Sequence, residues 1–253
     1  MSEIKPYGTV LIRAKQILDY LEQVDQPVNL QTIYTSLKTS KSTVLKILNT
    51  LCLIGFVKRD EETKKYSLGI TLIRYGEAAK KSFSIISVAE SDLIELNNQI
   101  GETIHLGAYD QERIIYIKKL NAKSRIILRS QVGHSVELYC SAMGKAYLAE
   151  QEEETVRNYL NGIRLEKRTE NTICDKNILI DDLRATRKRG YAIDDQENED
   201  DIYCIATSLK QKGDIRGLIS VSSPVYRMSE EKKKKIITLL QQAKRNIEQK
   251  LTH

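Results

Sequence analysis

Apolar residues recur at helical spacing three times before residue 55. Val10, Ala14, Ile17, Leu18 and Leu21 share one face between Thr9 and Val24, and Pro27 ends that run. Leu30, Ile33, Tyr34 and Leu37 follow, with Asn29 as the expected cap. Val44, Ile47, Leu48 and Leu51 repeat the i, i+3, i+4, i+7 pattern behind Ser40. Gly55 is placed to end this third helix in a left-handed conformation. Only Lys38-Thr39-Ser40 separates the second run from the third, so two short helices must cross steeply, as in a helix-turn-helix. Beyond Gly55, residues 56–59 and 64–68 flank Asp60-Glu61-Glu62-Thr63 and predict a basic two-stranded hairpin. Helix, tight turn, helix and hairpin in this order predict a winged helix-turn-helix over residues 1–69.

The remainder alternates between helical and strand periods. Residues 70–82 read as a linker helix, with Leu72, Ile73 and Ala79 apolar, and residues 83–253 as a second domain. Ile86, Ala89, Leu93, Leu96 and Ile100 predict a long amphipathic helix closed by Gly101. The period then changes to two: Ile104, Leu106 and Ala108 alternate with Thr103, His105 and Tyr109, a turn follows at residues 110–112, and residues 113–120 return as a strand. Residues 125–129 complete the expected antiparallel meander. Residues 140–150 and 177–189 read as helices, the latter closed by Gly190. Strands are expected at 191–194, 202–209 and 216–222, with Lys212-Gly213 as a turn. A last helix over 229–251 turns Ile236, Leu240, Ala243, Ile247 and Leu251 inward. Segregated helices and antiparallel strands make this domain α+β.

Charge sharpens the reading of the first part. Of the 253 residues, the first 80 hold 12 Lys+Arg against 8 Asp+Glu, whereas the rest hold 28 against 26. About a third of the chain therefore carries most of the +6 net charge, which fits a polyanionic partner there and an ordinary surface elsewhere. On the third helix, Ser40, Lys41, Ser42 and Thr43 offer short polar groups and a cation at the N-terminal end, with Lys46 one turn on, as a DNA major groove accepts. Lys58, Arg59, Lys64 and Lys65 on the hairpin are placed for phosphates. The four cysteines, Cys52, Cys140, Cys174 and Cys204, have neither CxxC spacing nor a Cys/His pattern, so no disulfide framework, metal site or cofactor is expected. No apolar run of about 18 residues occurs, and the N-terminus lacks an apolar signal core, so the expectation is a cytosolic protein.

Six segments in order carry a family resemblance. They are Lys64 to Gly69 (K-K-Y-S-L-G), Gly101 to Gly107 (G-E-T-I-H-L-G), Ser141 to Ala149 (S-A-M-G-K-A-Y-L-A), Arg187 to Asp195 (R-K-R-G-Y-A-I-D-D), Cys204 to Ala206 and Ser220 to Pro224. Together with the helix-turn-helix, they make the chain resemble the IclR-type bacterial transcriptional regulators along nearly its whole length. The resemblance implies a winged helix-turn-helix, a linker helix and a GAF/PAS-like effector domain. It also implies a homodimer through the N-terminal part, often a dimer of dimers, on a palindromic duplex operator. The expectation is a repressor whose operator affinity responds to a small carboxylic, keto or sugar acid. By motif, the effector pocket would be lined by Ala142, Met143, Gly144, Asp194, Cys204, Ser220 and Ser222. Free N–H groups at the start of the 141–145 helix can receive a carboxylate, and seryl hydroxyls two apart on a strand point the same way. Asp194 beside an anion requires a protonated carboxyl or a ligand hydroxyl, which favours a hydroxylated or keto acid.

The chain departs from the family pattern at several positions. Glu137 and Tyr139 stand where Pro-x-His is common and would add a carboxylate and a phenol near the pocket mouth; Asp201 replaces a Gly and Ser208 a Pro. Lys46 stands where Arg is frequent, which keeps the charge and loses bidentate guanine readout. Two other classes of function compete. An enzyme could use Cys140 beside Ser141 as nucleophile, with Lys145 and His105 or His134 as bases, although Ser141 and Lys145 are spaced SxxxK and no Gly-x-Ser-x-Gly, P-loop or HExxH occurs. A DNA-architectural protein would not require some 170 residues of α+β core.

Overall fold

The computed structural model describes residues 7–24, 26–81, 83–124 and 128–252, and these fall into two units, Met1–Ser82 and Phe83–His253. The first contains α1 (Thr9–Gln23), α2 (Leu30–Ser36), α3 (Lys41–Leu53), β1 (Val57–Arg59), β2 (Tyr66–Leu68) and α4 (Thr71–Lys81). Side-chain caps fix where α2 and α3 begin. Asn29 Oδ1 accepts the Thr32 N–H at 2.9 Å, and Ser40 Oγ accepts the Thr43 N–H at 3.3 Å. Gly55, at φ 75°, lets the chain leave α3 and turn into β1. Ile17, Leu21, Ile33, Val44, Leu48 and Leu51 from the three helices close on Val57 and Tyr66 of the hairpin. An additional bridge between Val28 and Tyr66 (3.0 and 2.7 Å) fastens the wing to the segment before α2. One inward assignment fails here, since Val10 is 56% exposed; the expected linker helix is present as α4 and buries none of its residues.

The second unit runs α5 (Ser84–Ile100), β3 (Thr103–Asp110), β4 (Arg113–Leu120), β5 (Ser135–Glu137), α6 (Ala142–Leu148), α7 (Glu153–Gly162), α8 (Lys176–Arg189), β6 (Ala192–Asp195), β7 (Ile202–Gln211), β8 (Asp214–Pro224) and α9 (Glu230–Thr252). Left-handed Gly101 and Gly190 end α5 and α8 as their positions require. The strands form one antiparallel sheet in the order β5-β4-β3-β8-β7-β6. The step that unites it is the pairing of β3 with β8, which joins the β3/β4 hairpin to β6, β7 and β8. The third strand expected at 125–129 is absent from Leu128 and Arg129, residues 125–127 lie outside the described residues, and β4 is flanked instead by β5.

Both faces of the sheet are covered. α5 and α9 pack on Ile104, Leu106, Ile205, Ile219 and Val221, whereas α6, α7 and α8 pack near Ile114, Ala192, Ala206 and Leu218. β3 is therefore buried on both sides from Thr103 to Ala108, and its alternation separates two interiors rather than interior from water. The expected helix at 140–150 begins at Ala142, and α7 was not anticipated. Gly144 lets α6 approach the chain beneath it: a Cβ there would lie 2.3 Å from Leu138 Cα and 2.6 Å from the Glu137 carbonyl oxygen.

Candidate nucleic-acid interface and ligand cavity

Once Val44, Ile47, Leu48 and Leu51 of α3 are buried, Lys41, Ser42, Lys46, Asn49 and Thr50 remain exposed on the opposite side. The hydroxyls at the helix start form a small cluster: Ser40 Oγ donates to Thr43 Oγ1 at 2.8 Å and lies 3.3 Å from Ser42 Oγ. Thr43 is only half-exposed and leans toward the cap, so Ser42 and Lys46 are the side chains more open to a groove. On the wing, Lys58, Arg59, Lys64 and Lys65 are all exposed. The Arg59 guanidinium rests 5.8 Å from the Tyr66 ring centroid, and Lys64 Nζ lies 3.3 Å from Glu61 Oε2. Asp60 organises the tip, its Oδ1 accepting from Thr63 N–H at 2.7 Å and Glu62 N–H at 3.2 Å. These hydrogen bonds, led by that from Thr63, hold the Asp60 carboxyl below its usual range. Three acidic residues at the tip confine the wing's positive charge to its strands and the Lys64-Lys65 return.

In the second unit, sheet register lines up the polar positions. Asp194 of β6 stands opposite Cys204 of β7, Cys204 opposite Ser222 of β8, and Ser222 opposite Thr103 of β3; one step along, Ser220 stands opposite His105. These residues face away from α5 and α9, because their neighbours Ile193, Ile205, Val221 and Ile104 occupy that side. All but Thr103 meet a cavity with about 470 Å³ of space, part of it open to solvent. Its sheet-borne wall comprises His105, Tyr116, Asp194, Cys204, Ser220 and Ser222. Ser141, Ala142 and Met143 contribute the start of α6, while Leu128, Ser130, Val136, Asn198, Glu199 and Ile202 close the remainder. Six of the seven residues expected by motif therefore border one space. Gly144 does not; its role is the close packing of α6 on Leu138. Glu137 and Tyr139 also lie outside the lining: Glu137 pairs with Arg113 at 3.0 Å, and the Tyr139 hydroxyl donates to the Glu166 carbonyl at 2.9 Å.

The chemistry of the cavity follows from its burial. No lysine or arginine lines it among the described residues. Ser141 Oγ caps α6 by accepting the Gly144 N–H at 3.0 Å and donates to the Glu137 carbonyl at 2.6 Å, leaving the amides of Ala142 and Met143 as the helix's open donors. Burial raises the Asp194 carboxyl to about 7, a shift that Glu197 reinforces and that the Glu197 and Asn198 N–H donors, at 2.8 and 3.3 Å, oppose. His105 is driven down to about 3 by burial and by the nearby Lys119, so its ring is neutral. It stacks on Tyr116 with centroids 4.4 Å apart. His105, Tyr116, Ser130, Asn198 and Glu199 were not among the expected pocket residues. Their only sequence signal was a polar alternate in a strand or a position in an irregular loop.

Lys145 sits one turn inside α6 and is 1% exposed. Burial alone would depress its ammonium, but Glu197 at 2.5 Å and Asp182 at 2.8 Å hold it above the ordinary lysine range. It ties α6 and α8 to the loop that carries Asn198 and Glu199. Thr169 and Thr172 secure the same loop by donating to the carbonyls of Gln196 and Glu197, at 2.6 and 2.7 Å. This arrangement removes the chemistry of the nucleophile reading. Burial pushes the Cys140 thiol up to about 12, and its Sγ lies 3.8 Å from Asn198 Oδ1. His105 directs its nitrogens to Ser130 and Ser222, and the Lys145 ammonium is held by its two carboxylates.

Comparison with known proteins agrees with this layout. The IclR helix-turn-helix domain matches residues 10–61, and the bacterial transcriptional regulator IclR C-terminal domain matches residues 77–249. The chain is similar to the HTH-type transcriptional regulator KdgR of Escherichia coli, at 34% identity over 82% of this chain and 80% of that protein. The DNA-binding transcriptional repressor YiaJ of Escherichia coli is 29% identical over 98% of this chain and 89% of its own length. Among solved structures, the Thermotoga maritima IclR superposes with a TM-score of 0.79 at 31% identity, covering 98% of this chain and all of that one.

The Asp194 environment makes stability depend on pH. The native carboxyl, at about 7, keeps a proton that the unfolded chain loses near an ordinary aspartate value of about 4. Between those limits the native state binds more protons, so this group's contribution to stability falls as pH rises and is constant above the native value. Asp194→Asn cannot ionise and will flatten the dependence by up to about 1.4 kcal/mol per pH unit over that window, read by urea unfolding at several pH values. Parallel curves for the two proteins would show that Asp194 is ionised in the native state.

Proposed function

The chain belongs to the IclR family of bacterial transcriptional regulators, and we propose that it is a cytoplasmic repressor that reads a palindromic operator as a homodimer and responds to a small organic acid. The repressor assignment draws on the likeness to YiaJ, a repressor by name. Ser42 and Lys46 of α3 would enter the major groove from a helix start capped by Ser40, beside Lys41 and Thr43. Lys58, Arg59, Lys64 and Lys65 would hold phosphates.

The observation that carries the effector reading is the convergence of Ser220, Ser222, Asp194, Cys204 and the open amides of Ala142 and Met143 on one cavity that, among the described residues, no lysine or arginine lines. A carboxylate there is solvated by N–H and O–H donors without the cost of burying a lysine or arginine. A protonated Asp194 can donate to a hydroxyl or keto oxygen at the other end of the ligand, and Asn198 and Glu199 can accept from a hydroxyl there. Such a site suits a hydroxy, keto or sugar acid better than a purely apolar one.

Exposed apolar residues on the first unit support the dimer. Val10, Leu11 and Ile12 of α1 are 56%, 72% and 45% exposed, and Ile70, Ile73 and Tyr75 at α4 are 82%, 63% and 51% exposed. Monomers leave large apolar groups in water singly; clusters of this kind mark an interface. A single winged helix reads few base pairs, and two-fold repetition multiplies its contacts.

Two measurements test the DNA and dimer parts. Lys46→Ala will weaken operator binding and relax its sequence preference, whereas Lys64→Ala will weaken operator and random duplex alike and lower the salt slope by about one unit. Identical effects of both changes on both DNAs would remove α3 from base readout. In sedimentation the protein will be a dimer or larger at micromolar concentration, and its footprint will cover two half-sites about one helical turn or a multiple apart. A monomer protecting one half-site would contradict the dimer.

A further inference from the structure

The segment Leu128–Ser130 forms part of the cavity wall without belonging to the sheet. Side chains tie it to the strands beneath. Lys119 Nζ of β4 donates to the carbonyls of Leu128 and Ser130, at 2.7 and 2.6 Å, and His105 Nε2 of β3 lies 2.8 Å from Ser130 Oγ. On its other side, His105 Nδ1 is 3.4 Å from Ser222 Oγ, which accepts the Cys204 thiol at 3.2 Å.

The directions of these bonds follow from proton supply. The Cys204 thiol donates to Ser222, the Ser222 hydroxyl has Nδ1 within reach as acceptor, and a neutral imidazole then carries its one proton on Nε2 and gives it to Ser130. The burial that keeps His105 neutral is what permits this arrangement, since an imidazolium would present two donors and no acceptor. His105 is 1% exposed, and the Tyr116 ring fixes its plane. A polar side chain so buried links the cavity floor, through Ser222, to a wall segment outside the sheet.

We propose that His105 is a positioning residue that latches the Leu128–Ser130 wall to the Ser222 floor and so controls entry to the cavity. A ligand that engages the Ser222 hydroxyl competes with His105 for it, which places the latch in contact with occupancy of the site. The biological meaning of the latch rests on the cavity being the effector site. The latch itself is tested without effector or DNA, so its failure and the failure of that reading are distinguishable.

The test uses N-ethylmaleimide on the full chain, with modification of Cys204 followed by peptide mass spectrometry. Cys140, a buried thiol outside the cavity lining, is the internal reference for general loosening. His105→Phe keeps a ring against Tyr116 but no hydrogen bond, and Ser130→Ala removes the partner hydroxyl from a half-buried position that folding tolerates. Either change will raise the rate at Cys204 relative to Cys140 by about tenfold, as expected when a buried hydrogen bond that holds a local segment is lost. His105→Gln, whose amide reaches toward Ser130, will restore most of the protection. A wild-type ratio in Ser130→Ala overturns the proposal, as does equal acceleration of both thiols there. Failure of His105→Gln to protect better than His105→Phe overturns it too. If His105→Phe does not fold, Ser130→Ala decides alone.

Discussion

The antiparallel pairing of β3 with β8 is the interaction on which the second unit depends. Without it the β3/β4 hairpin and the β6, β7, β8 group would be two small sheets, each with exposed edges. With it, the strands share one surface that α5 and α9 cover on one side and α6, α7 and α8 on the other. Because side chains alternate along each strand, the same register that sends Ile104, Val221, Ile205 and Ile193 into one core aligns Thr103, Ser222, Cys204 and Asp194 on the other face. A slip of one residue would bury the polar row under α9 and destroy core and cavity together.

Buried charge completes the site. Lys145 compensates Glu197 of the 196–201 loop and Asp182 of α8, while burial raises the Asp194 carboxyl to about 7, so that it is mostly protonated only below that pH. Cation and cavity are thus separated by one helical turn: the Lys145 ammonium organises the loop and does not line the cavity. In the first unit the electrostatic plan is different, with cations at exposed α3 and wing positions.

The sequence is most legible where one face of an element meets water. α2 and α3 declare themselves through spacing, the Asn29 and Ser40 caps and Gly55. α1 is legible apart from Val10, which breaks the pattern because it belongs to an exposed apolar surface. The strand alternation of β3 is legible as a period and misleading as a burial pattern, since both faces are covered. β5 has three residues and no period to detect; α7 turns only Val156 and Leu160 fully inward. Family motifs, rather than periodicity, led to the cavity residues. They misplace Gly144, whose lack of a side chain serves helix packing, and miss His105, which strand pairing brings to the cavity, and Ser130 and Asn198, which irregular loops carry there.

Control of DNA binding by an acid in this cavity requires that cavity and DNA face be coupled, and coupling is a reciprocal free energy. The most direct measurement is a pair of calorimetric titrations with an acid found by thermal-shift screening of hydroxy, keto and sugar acids, one into free protein and one into the protein–operator complex. The dissociation constants are expected to differ by about 5 to 150 fold, with operator affinity changed by the same factor when the acid is saturating. Equal constants in the two titrations would mean that the cavity holds a ligand without regulating DNA binding, and would rule out effector control through it.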